Sequence, residues 1–140
     1  MTIRLSDAKR PKIAAVLDTL QAQTFPGDVS FNTKKGWWWV AYEGDAPVAF
    51  AGLTPVLSWS RTGYLARCGV VDGHRGNGLQ RKLIRKREDY AKKLGMVRVI
   101  TTTFNNPVSV NNLIARGFKT YTPERVWGAS NTIYWVKELI

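Results

Sequence analysis

Cysteine and histidine are almost missing from this 140-residue chain, which has one of each, Cys68 and His74. A single cysteine excludes an internal disulfide and any cysteine-based zinc cluster, and no metal site is expected. No apolar run approaches the roughly 20 residues that span a bilayer. Residues 1–24 lack a charged-then-apolar targeting pattern. Repeats, low-complexity stretches and linkers are absent as well. The expectation is one soluble domain over 1–140, cytoplasmic, with no membrane partner and a core large enough to need no crosslink.

Acidic residues are also scarce, 10 against 21 Lys and Arg, for a net charge of +11. That balance favours an anionic partner: a phosphorylated cofactor, an acidic protein surface or nucleic acid. Residues 75–98 hold nine basic and two acidic side chains. Solvated helix faces are often basic too, so charge alone does not choose among these.

What is abundant is patterned. Thr2–Leu5 reads as a strand, and Ser6 and Asp7 as caps for a helix whose Ile13, Val16, Leu17 and Leu20 share one face, with Pro11 in its first turn. Residues 24–36 read as a loop. Trp37–Tyr42 and Pro47–Thr54 form a hairpin through Glu43-Gly44-Asp45-Ala46, and a third strand covers about Gly63–Val71. A basic amphipathic helix then keeps Leu79, Leu83, Tyr90 and Leu94 near one face, and Gly95 ends it. Met96–Thr103 is a buried strand by composition. A short helix over Pro107–Arg116 stops at Gly117, and strands near Phe118–Val126 and Thr132–Glu138 follow. The unit over 63–103 should be a right-handed parallel crossover, with its loop at the carboxyl end of the strand.

That loop carries Gly73, Gly76 and Gly78 and opens directly into the basic helix. Glycine lets the backbone approach a ligand closely. The unpaired N–H groups and partial positive charge of a helix start favour phosphate or pyrophosphate. Neither common nucleotide motif fits. The third glycine of a dinucleotide loop is missing and the unit comes mid-chain, and the Lys-Ser/Thr of a triphosphate loop is absent.

The run Val70-Val71-Asp72-Gly73-His74-Arg75-Gly76-Asn77-Gly78-Leu79-Gln80 resembles the V-x-P-x-x-[Q/R]-x-x-G-x-[G/A] segment of the GNAT superfamily of acetyl-CoA-dependent N-acetyltransferases. Asn106-Pro107-Val108-Ser109, with Gly117-Phe118 starting eleven residues after Asn106, is similar to that family's N-x-x-[A/S]…G-F ending. The element order agrees along nearly the whole chain. The resemblance implies an α/β (α+β) fold with a central, mostly antiparallel mixed sheet, one splayed parallel strand pair and flanking helices. It also implies acetyl-CoA as co-substrate. Backbone at Gly69, Val70 and Val71 would pair with the pantetheine amides. N–H groups of Arg75, Gly76, Asn77, Gly78, Leu79 and Gln80 would hold the pyrophosphate, and Asn106 would reach the pantetheine arm.

The chain departs from that pattern at several positions. Asp72 replaces the usual proline. Gln80 replaces Gly/Ala, so its side chain should point away from the pyrophosphate or touch the cofactor. The family's general-acid tyrosine is Leu113 here, and two positions used for a glutamate base are Thr101 and Tyr64. An amine must lose a proton and the leaving thiolate benefits from a donor. Tyr64, Tyr121 and Tyr134 are therefore the catalytic candidates, with Glu43 and Glu124 as weaker bases; positioning alone also serves an amine that arrives neutral. His74 reads as a loop residue on the phosphate side and Cys68 as core. Alternation puts Trp37 and Trp39 on one sheet face and Trp38 with Val40 on the other, as core or as an aromatic acceptor wall. Trp59 is the better exposed contact.

Function then reads as direct acetyl transfer to an amine of unknown class: a small molecule, a protein amine, or an amine on nucleic acid. The positive charge argues against polyamines and histone tails. Two alternatives stand beside it, a non-catalytic module that binds acetyl-CoA or nucleic acid, and a nucleic-acid binder using the helix at 77–94. The sequence leaves monomer and homodimer open.

Overall fold

The computed structural model describes residues 1–29 and 31–140. The elements run β1 Thr2–Ser6, α1 Pro11–Thr24, β2 Trp37–Glu43, β3 Ala46–Pro55, β4 Thr62–Val70, α2 Leu79–Lys93, β5 Arg98–Thr103, α3 Pro107–Ala115, β6 Lys119–Thr120 and β7 Ile133–Glu138. The strands form one sheet in the order β1-β2-β3-β4-β5-β7-β6. Every neighbouring pair is antiparallel except β4 and β5, which are parallel. The order of elements and the parallel crossover agree with the sequence reading.

Period-2 alternation along the tryptophan run distributes the core. Trp38 and Val40 pack with Phe50 under Leu17 and Leu20 of α1. Trp39 lies on the opposite face with Ala51, Leu53 and the α2 residues Leu83, Ile84 and Ala91. Trp37 and Trp39 both meet the Tyr90 ring, at 5.9 and 5.5 Å. The three tryptophans thus build both core faces. Gly52 is required there: a Cβ would sit 2.6 Å from the Trp38 ring.

Three expectations are corrected. Arg10, not Ser6 or Asp7, is the N-cap of α1, and no side chain caps it. Asp7 instead accepts from the Lys9 N–H at 2.9 Å in a turn, and Ser6 stays in β1. The sixth strand is two residues rather than nine, because Pro123 offers no N–H to a ladder. The buried stripe of α2 is Leu79, Leu83, Ile84, Arg87, Glu88 and Ala91, whereas Tyr90 is half-buried and Leu94 exposed. Two charged side chains therefore occupy core positions.

Glu88 Oε1 accepts from Arg116 Nη2 at 2.8 Å and Lys137 Nζ at 2.9 Å, tying α2 to the end of α3 and to β7. Removing one member of a buried pair usually costs about 3–5 kcal/mol. Arg116 and Lys137 keep partial access to water. Glu88→Ala should therefore lose about 3 kcal/mol, near the low end of that range, in urea denaturation.

Candidate functional site

The site begins where two strands part. β4 pairs with β5 only at Thr62–Tyr64, although β4 continues on β3 to Val70 and β5 continues on β7 to Thr103. At the apex Thr101 Oγ1 donates to the Leu65 carbonyl at 2.8 Å, and the Tyr64 and Thr102 hydroxyls share a hydrogen bond of 3.0 Å. Just beyond, the β3–β4 register slips between Ala51 and Leu53, a bulge that bends β4. Arg87 reaches this point from α2. Its Nη1 donates to the carbonyls of Gly52 and Ala66, both at 3.1 Å, and its Nε to Leu83 O at 3.1 Å. The bulge would otherwise leave buried sheet carbonyls without donors.

Past the bulge, the β5-facing edge of β4 has no partner strand. Val71 N–H donates to Val48 O on the β3 side, so alternation turns the Val70 amide toward the gap. The loop then turns through Gly73, Gly76 and Gly78, with φ of 89°, 83° and 73°. Gly78 is the N-cap of α2 in a left-handed conformation and offers no side-chain cap. The N–H groups of the first turn consequently remain available to an anion.

Two clefts meet in the gap. One, of 590 Å³, runs along the glycine loop; the other, of 460 Å³, lies over Tyr64 and the splayed strands. Phe25, Cys68, Gln80, Asn106 and Ser109 border both. Among the expected cofactor residues, Gly69, Val70, Arg75, Gly76, Gly78, Leu79, Gln80 and Asn106 line the loop cleft. Val71 and Asn77 do not border it, and both Val71 backbone groups are engaged, its carbonyl accepting from His74 N–H at 3.1 Å. Arg75 folds back, its Nε on Val70 O at 3.0 Å and Nη1 3.3 Å from Asp72. The residue in the proline position thus shares the charge of Arg75.

Gln80 turns away from the loop. Its amide donates to Ser109 Oγ at 3.0 Å and accepts from Asn112 Nδ2 at 2.6 Å, joining α2 to α3. Asn106 caps α3, accepting from Ser109 N–H at 3.1 Å. Of the three catalytic candidates, Tyr64 lines the second cleft, as do Leu113 and Thr101. Tyr121 and Tyr134 border neither cleft. The Tyr134 hydroxyl accepts from Gly128 N–H at 2.8 Å, and Trp127 stands between its ring and that of Tyr64. Tyr121 packs on Trp59, and its phenol is raised above the usual value by burial, then by Tyr134 and Tyr64. His74 borders the loop cleft, and Glu43 and Glu124 are exposed. Burial raises the Cys68 thiol against the opposing charge of Arg87. The thiol therefore stays protonated near neutrality and is a poor nucleophile.

Sequence reasoning missed Arg67 and Arg87, both of which line the second cleft. A signal for Arg87 existed: Ile84, Arg87, Glu88 and Ala91 lie at i, i+3, i+4 and i+7 on a single helix face.

A family model, the acetyltransferase (GNAT) family, matches residues 8–118. The chain belongs to that family. No curated protein sequence matches it. Solved structures with the same fold include an aminoglycoside 6′-acetyltransferase type Ii, at 20% identity and TM-score 0.82, covering 100% of this chain and 98% of that one. The ribosomal-protein-S18-alanine N-acetyltransferase from Escherichia coli is 15% identical with TM-score 0.78, covering 99% and 94%. An acetyltransferase from Bacillus subtilis in complex with CoA is 16% identical with TM-score 0.76, covering 99% and 98%.

Arg87→Met keeps volume but removes the donors to two buried carbonyls, each worth about 1–3 kcal/mol when left unpaired. A stability loss of about 3 kcal/mol is expected in urea denaturation. A loss below about 0.5 kcal/mol, the size of an inert surface change, would show that the clamp is dispensable.

Proposed function

We propose that the protein is an N-acetyltransferase that uses acetyl-CoA and passes the acetyl group directly to an amine. The observation that carries this reading is the meeting of the two clefts in the gap between β4 and β5. The donor set suits coenzyme A. The gap-facing Val70 amide matches an amide-bearing arm, and the glycine loop with the open start of α2 matches a diphosphate. When bound, acetyl-CoA supplies an activated thioester carbonyl.

The protein's own part is placement and proton handling. The arm and diphosphate would lie in the loop cleft, with the acyl end near Cys68, Gln80, Asn106 and Ser109, where the clefts join. The amine would approach from the Tyr64 side. Tyr64 lines that cleft with its Oη tethered to Thr102, and this hydroxyl would hold or relay a proton there. Tyr121 and Tyr134 would act only through the aromatic packing around Trp127, which holds the Tyr64 ring. Orientation of amine and thioester contributes the larger share.

A non-catalytic reading has one specific support: Leu113 stands where many relatives carry an acid, and the Thr101 hydroxyl is committed to Leu65 O. Acceptor-dependent thiol release separates the two. Gly78→Glu puts a carboxylate at the diphosphate position and should abolish coenzyme A binding in calorimetry while the protein stays folded. Tyr64→Phe should lower kcat about 10²-fold, the low end for a lost proton-transfer group, with KM for acetyl-CoA nearly unchanged. An unchanged kcat would remove Tyr64 from the reaction.

A further inference from the structure

The second cleft has an unusual charge inventory for a site meant to receive an amine. Its lining includes two guanidinium groups, Arg67 and Arg87, and among the described residues no aspartate or glutamate. The loop cleft beside it also lacks a lining carboxylate. Arg87 is 2% exposed, and its hydrogen bonds to the described residues are all to main-chain carbonyls. Buried charges are ordinarily paired with an opposite charge. Glu88, the next residue, is paired instead with Arg116 and Lys137.

Arg67 is held at the side of the cleft with its side chain 21% exposed. It donates to Val29 O at 3.0 Å and Gln21 Oε1 at 3.3 Å, and lies 4.6 Å above the Phe25 ring. The carboxylate it approaches, Asp28, is 4.0 Å away and 59% exposed. A contact at that distance in water neutralises little. The rest of the wall is mixed: Phe25, Phe31, Tyr64 and Phe104 supply an aromatic part, and threonines with Gln80, Asn106 and Ser109 supply neutral polar groups.

From this we infer that the acceptor is an amine bearing its own carboxylate beside an apolar or aromatic group, a free amino acid of that kind, with Arg67 receiving the carboxylate. The inference rests on the N-acetyltransferase reading above and names its substrate class. A polycationic amine would find two like charges and no counter-charge. An amino acid brings the missing anion, and its side chain meets the aromatic wall. Arg87, buried in the same wall, adds a positive charge that would disfavour the ammonium form of a bound amine and favour the neutral nucleophile. The step balances without another reactant, because the acyl carbon exchanges its bond to sulfur for one to nitrogen, and the proton leaving nitrogen ends on the thiol.

The test is thiol release from acetyl-CoA with matched pairs: phenylalanine and phenethylamine, tyrosine and tyramine, leucine and isopentylamine, with spermidine as a polycation. The wild-type protein should favour each amino acid over its decarboxylated partner by about 30-fold or more in kcat/KM, as expected for a charge-assisted contact. Arg67→Gln should erase that preference by raising KM while kcat changes less than about threefold, the pattern of lost ground-state binding. Arg67→Lys should restore part of it. Equal or faster turnover of the decarboxylated amines overturns the inference, and needs no variant to fold. So does a preference that survives Arg67→Gln, or failure of every amino acid to react while calorimetry still shows coenzyme A binding. Absence of coenzyme A binding to the folded wild type overturns the underlying enzymatic reading instead.

Discussion

The structure depends on one buried contact, the Arg87 guanidinium clamped on the carbonyls of Gly52, Ala66 and Leu83. A central strand that leaves its neighbour must still satisfy its backbone, and water is excluded from the core on the α2 side. The side chain of a helix residue supplies those donors. β4 can then stay on β3, bulge, and open a gap toward β5. Both clefts and the free edge at Val70 follow from that single accommodation. A hydrophobic residue in its place would pack as well, yet would leave the bulged carbonyls unpaired.

Electrostatics organises the rest. The charge of Arg87 is answered by dipoles, and that of Arg75 by Asp72 and the Val70 carbonyl. Glu88 serves on the far side of α2, holding the ends of α3 and β7. The clefts are left with a positive bias and no lining carboxylate among the described residues. Such a surface suits an anionic co-substrate along the loop and an acceptor that carries a negative group. In the proposed reaction the same field would favour the unprotonated amine.

Much of the fold was legible in the sequence where periodicity and glycine act together. The hairpin at Gly44, the helix stop at Gly95 and the split of Trp37–Trp39 across the sheet follow from short-range rules. The loop cleft was legible as well, because glycine spacing reports backbone geometry directly. The sixth strand was not, since its residues favour extended structure and tertiary pairing reaches only Lys119–Thr120 and Tyr121. The second cleft was the least legible. Arg87 and Arg67 look like surface charge in a chain rich in Lys and Arg, and only tertiary packing turns them into the lining of a cleft. Tyr121 and Tyr134 mark the same limit, because a strand position fixes a face of the sheet without telling whether that face meets a cleft.

Amide hydrogen exchange with and without coenzyme A tests the central claim most directly, because it reads the main-chain donors themselves. The account predicts that coenzyme A slows exchange at Val70 and across 76–81, at the strand edge and the start of α2, with little change on the exposed face of that helix. Unaltered exchange in those segments, or protection confined to the basic outer face of α2, would contradict it.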